Sequence, residues 1–378
     1  MKVCAVVSEF NPFHNGHKYL LSELRNSGFD TLVCIMSGNF VQRGEFAVLD
    51  KRIRAEHAVE SGADLVLSLP FPWSCASAEY FAKGAVSVMN SLGCVDAIGF
   101  GSECADVSLL GTCADFLYSC PRERISAVQK ENPKLSYAQA RSILARRELG
   151  EEAFELFSRP NDILALEYLK ALRGFNSSIV PYPVKREYAS HDGTVYSDKM
   201  CSSSKLRHNI ENGEFDIISG YVPWKTEKIT DNFFTVDRKS YFSFLRGAVL
   251  SRAPEELAAF AENGGGFEFA LYREMLLAKD IESLYSSLSS RHLTDAKIRR
   301  ALLFTALGVK KDNFRDNPEF TEVLACNGAG KDFLKVCRKT ASVTILSKTA
   351  NIKNASENAK NQFKLQRTAE IAFEALLK

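Results

Sequence analysis

Four short apolar runs recur in the first hundred residues of the chain, about 30 residues apart. They are KVCAVVS, TLVCIM, DLVLSL and VDAIGF, at residues 2–8, 31–36, 64–69 and 95–100. Helix-periodic segments separate them, at residues 16–27, 50–62, 76–91 and 105–117. Because parallel strands need crossover connections that are usually helices, this alternation predicts an α/β fold with a doubly wound parallel sheet.

Beyond residue 100 the strand signals become sparser. Residues 121–175 are helix-periodic, and residues 177–187 predict one further strand. Residues 238–307 are again mostly helix-periodic, and a short strand-like pair follows near 320–326 and 341–347. We therefore predict that the C-terminal region is mostly helical.

The composition indicates the cellular location of the protein and the role of its cysteines. No apolar run approaches the roughly 18 residues of a membrane-spanning helix, and the N-terminus shows no signal-peptide pattern. The ten cysteines form no C-x-x-C pair, and several lie in apolar runs where a thiol packs as a small hydrophobe. We expect a cytoplasmic protein with neither a disulfide framework nor a zinc knuckle.

The net charge of +2 conceals an asymmetry. Residues 331–367 carry nine Lys or Arg against two acidic residues, which gives this segment a charge of +7. Such a segment is either a solvated helix face or a surface that binds a polyanion. Lys335, Arg338 and Lys339 are candidates for contact with nucleic acid.

Ligands of open parallel sheets bind beyond the carboxyl ends of the strands. The loops at that edge read EFNPFHNGH, SGNFVQRGE and GSE, at residues 9–17, 37–45 and 101–103. We expect the chemistry in these loops. The second loop is polar, so it either contacts a substrate or is simply solvated. The residues concerned are Ser37, Gly38, Asn39, Gln42 and Arg43.

The first loop contains two histidines, His14 and His17, at the predicted start of a helix. It lacks both G-x-G-x-x-G and the Walker A pattern. Imidazole donors beside a helix N-terminus suit a polyphosphate, and they would stabilise charge during substitution at an α-phosphate. Gly16 would let the backbone approach closely. The alternatives are a structural pair or metal ligation, but no third ligand stands at ligand spacing, so we expect no metal site.

The motif NPFHNGH resembles the H-x-G-H signature of the nucleotidylyltransferase superfamily, which includes class I aminoacyl-tRNA synthetases and pantetheine-phosphate adenylyltransferases. CSSSKLR, at residues 201–207, resembles the superfamily's second signature, Ile-Ser-Ser-Thr-x-x-Arg. It could also be an ordinary serine cap of a helix. The resemblance makes Ser203, Ser204, Lys205 and Arg207 candidates for binding phosphate.

The stretches SEFNPFHNGH, MSGNFVQRGE, DKRIRAEHAVESGADLVLSLPF, IGFGSE, PNDILALEYLKAL and VKREYASHDG are together similar to the bacterial tRNA(Met) cytidine acetate ligase family. The resemblance is close up to about residue 215 and looser beyond it. It implies activation of acetate by ATP to acetyl-adenylate and transfer of the acetyl group to N4 of the wobble cytidine of elongator tRNA(Met). Mg²⁺ is expected as the counterion of ATP.

The resemblance also implies a set of ATP contacts. Three of them could instead have a structural role: Gly101 could be a plain turn residue, Asn161 a helix cap and Arg186 a surface cation. The residues implied to bind ATP are Val7, Ser8, Glu9, Phe10, Asn11, Pro12, Phe13, His14, Asn15, Gly16, His17, Lys18, Tyr19, Leu20, Gly101, Asn161 and Arg186. Lys51 and Arg54, one turn apart, either extend the phosphate site or belong to an ordinary exposed helix face.

We interpret residues 1–220 as a nucleotidylyltransferase-like catalytic domain that binds ATP, with His14 and His17 as its catalytic residues, and residues 221–378 as a basic tRNA-binding region. The family's glycine-rich stretch is altered here to GGFEFA at residues 265–270, which keeps Glu268. The rival hypotheses are a small-molecule adenylyltransferase of the same superfamily and a non-catalytic protein that binds nucleotide or RNA. The basic segment disfavours the first rival, and the histidine pair disfavours the second.

Overall fold

The computed structural model describes residues 1–186, 200–226, 232–290 and 293–377. The predicted alternation is confirmed, with each strand and helix within a few residues of its expected place. The N-terminal elements are β1 (Val3–Ser8), α1 (Asn15–Asn26), β2 (Thr31–Ser37), β3 (Phe40–Val41), β4 (Glu45–Phe46), α2 (Lys51–Glu60), β5 (Leu65–Leu69), α3 (Ala78–Leu92) and β6 (Ala97–Ser102).

The middle of the chain is helical, as predicted, until one more strand returns to the sheet. The elements are α4 (Val107–Ser119), α5 (Arg122–Glu131), α6 (Tyr137–Leu149), α7 (Glu151–Leu156), α8 (Pro160–Gly174), β7 (Val180–Lys185), α9 (Ser203–Glu211) and α10 (Phe215–Ile218). Pro160 occupies the first turn of α8, where its missing N–H costs no hydrogen bond. Most of the VKREYASHDG stretch, from residue 187 onward, lies outside the described residues.

The C-terminal region is mostly helical but also contains two strands. Its elements are α11 (Arg238–Leu250), α12 (Phe267–Leu277), α13 (Ile281–Leu288), α14 (Asp295–Leu307), β8 (Phe320–Cys326), α15 (Gly328–Thr340), β9 (Thr344–Leu346) and α16 (Glu357–Glu374). Helices α11 to α14 enclose their own apolar cluster, which includes Leu245, Leu271, Leu284 and Leu302.

The described residues form a seven-stranded sheet in the order β7-β6-β1-β2-β5-β8-β9. Strand β1 pairs in parallel with β2 on one side and with β6 on the other. The chain therefore winds outward from β1 in both directions, and a crevice opens at the carboxyl ends of β1 and β6. That crevice is where the candidate site lies.

Alternate side chains of β1 pack on opposite faces of the sheet. Val3 and Ala5 belong to one buried cluster, and Cys4 and Val6 belong to the other. Both faces are covered, as a parallel sheet requires. The thiol of Cys4 packs there as a small apolar group, and burial raises its pKa to about 12.

The strand-like pair near residues 320–326 and 341–347 extends the N-terminal sheet. Strand β8 lies antiparallel to β5, and β9 lies parallel to β8. The Thr321 hydroxyl donates to the carbonyl oxygen of Ser68, and the Glu322 N–H donates to the Ser68 hydroxyl at 2.8 Å. The sheet thus takes strands from both sides of residue 220, and the division into two domains stays a prediction.

Arg54 ties the loops after β1 and β2 together. Its side chain is fully buried, and its guanidinium donates to the carbonyl oxygens of Leu49 at 2.9 Å and Gly38 at 2.5 Å, as well as to those of Ser37 and Glu9. Burial lowers the pKa of Arg54 to about 10, so the group still carries its charge at neutral pH. The arginine therefore fixes the backbone that leads into both loops.

Lys51, the other cation expected to extend the phosphate site, is also committed to the fold. Its ammonium lies 3.1 Å from a carboxylate oxygen of Glu322 on β8 and 2.5 Å from one of Glu370 on α16. Burial works to lower the pKa of Lys51, but the two carboxylates raise it above its ordinary value. The prediction that Lys51 and Arg54 extend a phosphate site is therefore wrong, because their donors are used within the protein.

We expect Arg54→Ala to lower the free energy of unfolding by about 3 kcal/mol or more, because it leaves several buried carbonyl oxygens without a donor. Arg52→Ala is the matched control, because Arg52 is exposed on the same helix, and it should stay within about 0.5 kcal/mol of the wild type. Urea denaturation of both variants measures the difference. If Arg54→Ala lowered the free energy of unfolding by less than about 1 kcal/mol, Arg54 would not hold the two loops together as assigned.

Candidate active site

A cavity of about 750 Å³ opens at the carboxyl ends of β1, β6 and β7. The loop after β1, the first turns of α8 and α9 and residues of the β3–β4 hairpin line it. The loops singled out in the sequence therefore meet in one place. Within the segment 7–20 most side chains line the cavity, whereas Pro12, Phe13, Asn15 and Lys18 do not.

His14 caps the N-terminus of α1. Its Nδ1 accepts a hydrogen bond from the Gly16 N–H at 3.0 Å, and its Nε2 lies 3.0 Å from the Ser203 hydroxyl. A Cβ at position 16 would lie 2.9 Å from Cε1 of His14. Glycine is therefore needed at this position so that the His14 ring can fold back onto the helix start.

His17 completes the cap in the opposite direction. Its Nδ1 accepts from the His14 N–H at 3.2 Å, and its ring stacks on that of His14 with centroids 3.7 Å apart. Phe10 and Phe13 contact the His17 ring from the sides. Since Nδ1 of each histidine accepts from a backbone N–H, the proton of each neutral ring is on Nε2.

Both imidazoles are kept neutral by their surroundings. Burial lowers the pKa of His14 to about 3, and the positive charges of Arg186 and Arg207 act in the same direction. Burial likewise holds the pKa of His17 well below its ordinary value, with His14 and Arg186 as lesser causes. The pair therefore offers Nε2–H donors without a charge of its own.

The second motif stands opposite the histidines. Ser202 caps α9 by accepting from the Lys205 N–H at 3.2 Å. Ser203, Ser204 and Arg207 line the cavity, but Lys205 is exposed and does not. Arg207 also donates from Nη1 to the carbonyl oxygen of Asn11 at 3.0 Å, which joins the second motif to the first.

Two buried polar atoms of the cavity wall lack a partner among the described residues. They are the hydroxyl of Ser8 and the amide nitrogen of Asn11. The Asn11 amide oxygen accepts from the Val48 N–H at 2.9 Å, so the side chain is fixed while its nitrogen stays unused. Buried polar groups usually find partners, so these two atoms are exceptions within the wall of the cavity.

Gly101, Asn161 and Arg186 also line the cavity. The Arg186 side chain passes over Gly101, where an added Cβ would lie 3.4 Å from Cγ of the arginine. Asn161 lies in the first turn of α8, and its amide nitrogen donates to Glu103 at 2.6 Å. All three therefore line one cavity, and their contacts with ATP stay a prediction.

The second polar loop contributes only in part. Gln42 and Arg43 line the cavity, whereas Ser37, Gly38 and Asn39 do not. The Gln42 N–H donates to the Glu9 carboxylate at 2.7 Å. Burial raises the pKa of Glu9, and this outweighs the opposing effect of the Gln42 hydrogen bond.

Sequence reasoning missed the contribution of the C-terminal helices. Arg300 on α14 lines the cavity and donates to the Gln42 carbonyl oxygen at 3.3 Å. Arg299 pairs with Glu45, another lining residue, at 3.1 Å. No motif marks either arginine, so only the fold reveals that they reach this site.

The candidate tRNA-binding cations lie elsewhere. Lys335, Arg338 and Lys339 are exposed on α15 and do not line the cavity. Lys335 pairs with Asp332 at 2.8 Å, and Arg338 donates to the Ser347 hydroxyl at 2.6 Å. These contacts are solvent-exposed and would compete weakly with a phosphate.

The described residues contain no group of three or more His, Cys, Asp or Glu side chains placed to hold a metal ion. Among the same residues, no helix is long and apolar enough to span a membrane.

The whole chain, residues 1–378, matches the family model of the HIGH nucleotidyl transferases. It is similar to the tRNA(Met) cytidine acetate ligase of Acetivibrio thermocellus, with 33% identity over 97% of this chain and 93% of the relative. The tRNA(Met) cytidine acetate ligase of Caldanaerobacter subterraneus subsp. tengcongensis is also 33% identical, over 95% of this chain and 92% of the relative.

Solved structures show the same architecture. The crystal structure of Thermotoga maritima TmcAL bound with alpha-thio ATP superposes with a TM-score of 0.87 at 25% identity, over 100% of this chain and 95% of that one. The apo crystal structure of the same protein gives a TM-score of 0.89 at 26% identity, with the same coverage. The predicted fold class is confirmed.

We expect the histidine pair to stay neutral as the pH is lowered through the ordinary histidine range. In the protein labelled with ¹³C-histidine, the ring signals of His14 and His17 should not move between about pH 5.5 and pH 8, because their lowered pKa values place protonation at more acidic pH. Free histidine in the same sample is the reference, and single His→Ala variants assign the signals. A midpoint near 6.5 for either ring would contradict the assignment.

Proposed function

Because this chain belongs to the HIGH nucleotidyl transferase family and, within it, to the tRNA(Met) cytidine acetate ligases, we propose that it activates acetate with ATP and acetylates N4 of the wobble cytidine of elongator tRNA(Met). The observation that carries the proposal is the stacked, neutral histidine pair at the N-terminus of α1. Arg186 and Arg207 line the same cavity. Together these groups provide donors and positive charge for a triphosphate.

In the first step a carboxylate oxygen of acetate attacks the α-phosphorus of ATP. The new oxygen–phosphorus bond forms as the bond to the pyrophosphate oxygen breaks, and pyrophosphate leaves with that electron pair. The Nε2–H groups of His14 and His17 would stabilise the negative charge that develops on the phosphoryl oxygens. No side-chain nucleophile is needed, because acetate itself attacks.

In the second step N4 of the cytidine attacks the carbonyl carbon of the acetyl-adenylate. A carbon–nitrogen bond forms, the bond between the carbonyl carbon and the phosphate oxygen breaks, and AMP leaves. The amine loses a proton to the solvent or to the departing AMP in this step. The anhydride must stay away from water until the RNA arrives, and a recessed cavity serves that purpose.

Mg²⁺ would enter with ATP, whose phosphates supply most of the oxygen ligands that this ion prefers. The described residues offer no cluster that would hold the ion by itself. The protein's part would be to orient the phosphates through His14, His17 and Arg207.

The exposed cations of α15 are our candidates for the tRNA contact. Lys335, Arg338 and Lys339 lie within the segment of charge +7, outside the cavity. A polyanion such as tRNA would be attracted to this surface. Release of its counterions would favour binding.

We expect His17→Ala and His14→Ala each to lower acetate-dependent ATP–pyrophosphate exchange about 10²-fold or more, the usual effect of removing one donor to a transition state. His208→Ala is the matched control, because His208 is exposed on α9 and does not line the cavity. It should leave exchange unchanged, and the affinity for tRNA should stay within about twofold of wild type in all three variants. Wild-type exchange in His17→Ala would reject its assigned role.

Charge reversal of Lys335, Arg338 and Lys339 to Glu should weaken tRNA binding and flatten its dependence on salt by about one unit of slope per lost phosphate contact. Pyrophosphate exchange should survive. The control reverses Arg122, Lys130 and Lys134, which are exposed on or just after α5, and so changes the net charge equally. Equal weakening by both triple variants would mean that only net charge matters.

The function is tested by its product. The protein is incubated with ATP, labelled acetate and bulk bacterial tRNA, and nuclease digests of the tRNA are analysed by mass spectrometry. The proposal predicts N4-acetylcytidine in one tRNA species, together with AMP and pyrophosphate. Unlabelled tRNA under conditions in which ATP is consumed would favour a small-molecule adenylyltransferase. No consumption of ATP would favour a binding protein.

A further inference from the structure

Glu103 holds Asn161 from outside the cavity. One of its carboxylate oxygens accepts from the Asn161 amide nitrogen at 2.6 Å, and the other accepts from the Asp162 N–H at 3.1 Å. Glu103 does not line the cavity, whereas Asn161 does. The glutamate therefore contacts any bound molecule only through the asparagine.

The loop that carries Glu103 is itself tied to α8. The carboxylate of Asp162 is fully buried and accepts from the Ser102 hydroxyl at 2.5 Å and from the Glu103 N–H at 2.9 Å. Ala105 closes the loop in the left-handed region, with a φ of 56°, and its N–H donates to the Ser102 hydroxyl at 2.7 Å. The loop donates hydrogen bonds to the Asp162 carboxylate of α8, and the Asp162 N–H donates one back to Glu103. The position of the Glu103 carboxylate is therefore fixed.

The chemistry of the pair decides which way the Asn161 amide points. An ionised carboxylate only accepts hydrogen bonds, so the atom that faces Glu103 must be the amide nitrogen. The amide oxygen is then left as an acceptor, and no donor among the described residues reaches it. The cavity lining also includes Phe100, Ile163 and Leu164, and the Arg186 side chain lies over Gly101.

We propose that Glu103 is a positioning residue that fixes the Asn161 amide so that its oxygen selects a nucleotide by accepting a hydrogen bond from the nucleoside. This inference rests on the proposed ATP site. The 6-amino group of adenine is one donor of this kind, and a ribose hydroxyl offers the same chemistry. A 6-oxo purine would instead place an acceptor against an acceptor, which costs a hydrogen bond on both sides.

The test measures binding, so it does not depend on turnover. Calorimetric titration of the full chain compares ATP with inosine 5′-triphosphate, 2′-deoxy-ATP and 3′-deoxy-ATP. The wild type should bind inosine triphosphate about tenfold more weakly than ATP, as expected when a buried acceptor loses its donor. A similar loss with one of the deoxy nucleotides would assign the donor to the ribose and would equally support the inference.

Glu103→Gln keeps the shape of the side chain, but its amide satisfies either orientation of Asn161. In this variant and in Asn161→Ala, we expect the affinities for ATP and for the discriminated analogue to differ by no more than about twofold. In Glu103→Gln the Asn161 amide can turn either way, and in Asn161→Ala it is absent, so neither variant can discriminate between the two nucleotides. The double variant should match Asn161→Ala alone. Asp106→Asn is the control: Asp106 caps α4 in the same loop without contacting Asn161, so its selectivity should be that of the wild type.

Three results would overturn the inference while leaving the ATP site intact. They are a wild type that binds all four nucleotides within about twofold, a Glu103→Gln variant that keeps full selectivity, and losses in the two single variants that add in the double variant. A purely structural role would weaken all four nucleotides by the same factor and so leave the ratio unchanged. If the wild type bound no ATP at all, the proposed function would fall as well.

Discussion

The buried guanidinium of Arg54 is the interaction on which the candidate site depends. It joins the carbonyl oxygens at the ends of β1 and β2, and it thereby fixes where the first motif leaves the sheet. His14 and His17 follow shortly after this point, at the start of α1. Among the described residues no carboxylate pairs with this buried cation, and carbonyl oxygens from several segments offset the cost of burying it only when all are in place. Folding of the two loops is therefore coupled to the assembly of the sheet edge.

The spacing of the two histidines serves a structural purpose and a chemical one at once. Positions i and i+3 at a helix start are the positions of a capping box, and here each Nδ1 accepts one N–H of the first turn. That use of Nδ1 leaves Nε2–H of both rings as a donor, and the Nε2 of His14 lies 3.0 Å from the Ser203 hydroxyl in the cavity wall. Burial keeps the rings neutral, so the donors are present over the whole physiological pH range. Gly16 is part of the same device, since a side chain there would meet the His14 ring.

Much of the fold could be predicted from sequence because the apolar runs and amphipathic helices are local signals. The docking of β8 on β5 could not, since it joins segments more than 250 residues apart and no local pattern specifies the partner. Lys51 and Arg54 were misjudged for a related reason: a charged pair one turn apart is usual on an exposed face, and only the arrival of β8 and α16 buries Lys51. In the site, both motifs were recognised, but helical phase turns Lys205 away from the cavity, and Arg300 and Glu103 carry no motif at all.

We propose that a carboxylate attacks the α-phosphorus of ATP in this cavity, and the fate of the carboxylate oxygens shows whether this step occurs. With acetate labelled by ¹⁸O in both oxygens, attack at the α-phosphorus joins one labelled oxygen to the nucleotide. After the acetyl group leaves, that oxygen remains on AMP. If acetate attacks in this way, mass spectrometry should find AMP that carries one ¹⁸O atom, in amounts that match the acetyl group transferred to tRNA. Unlabelled AMP, or the formation of ADP in its place, would rule out this attack.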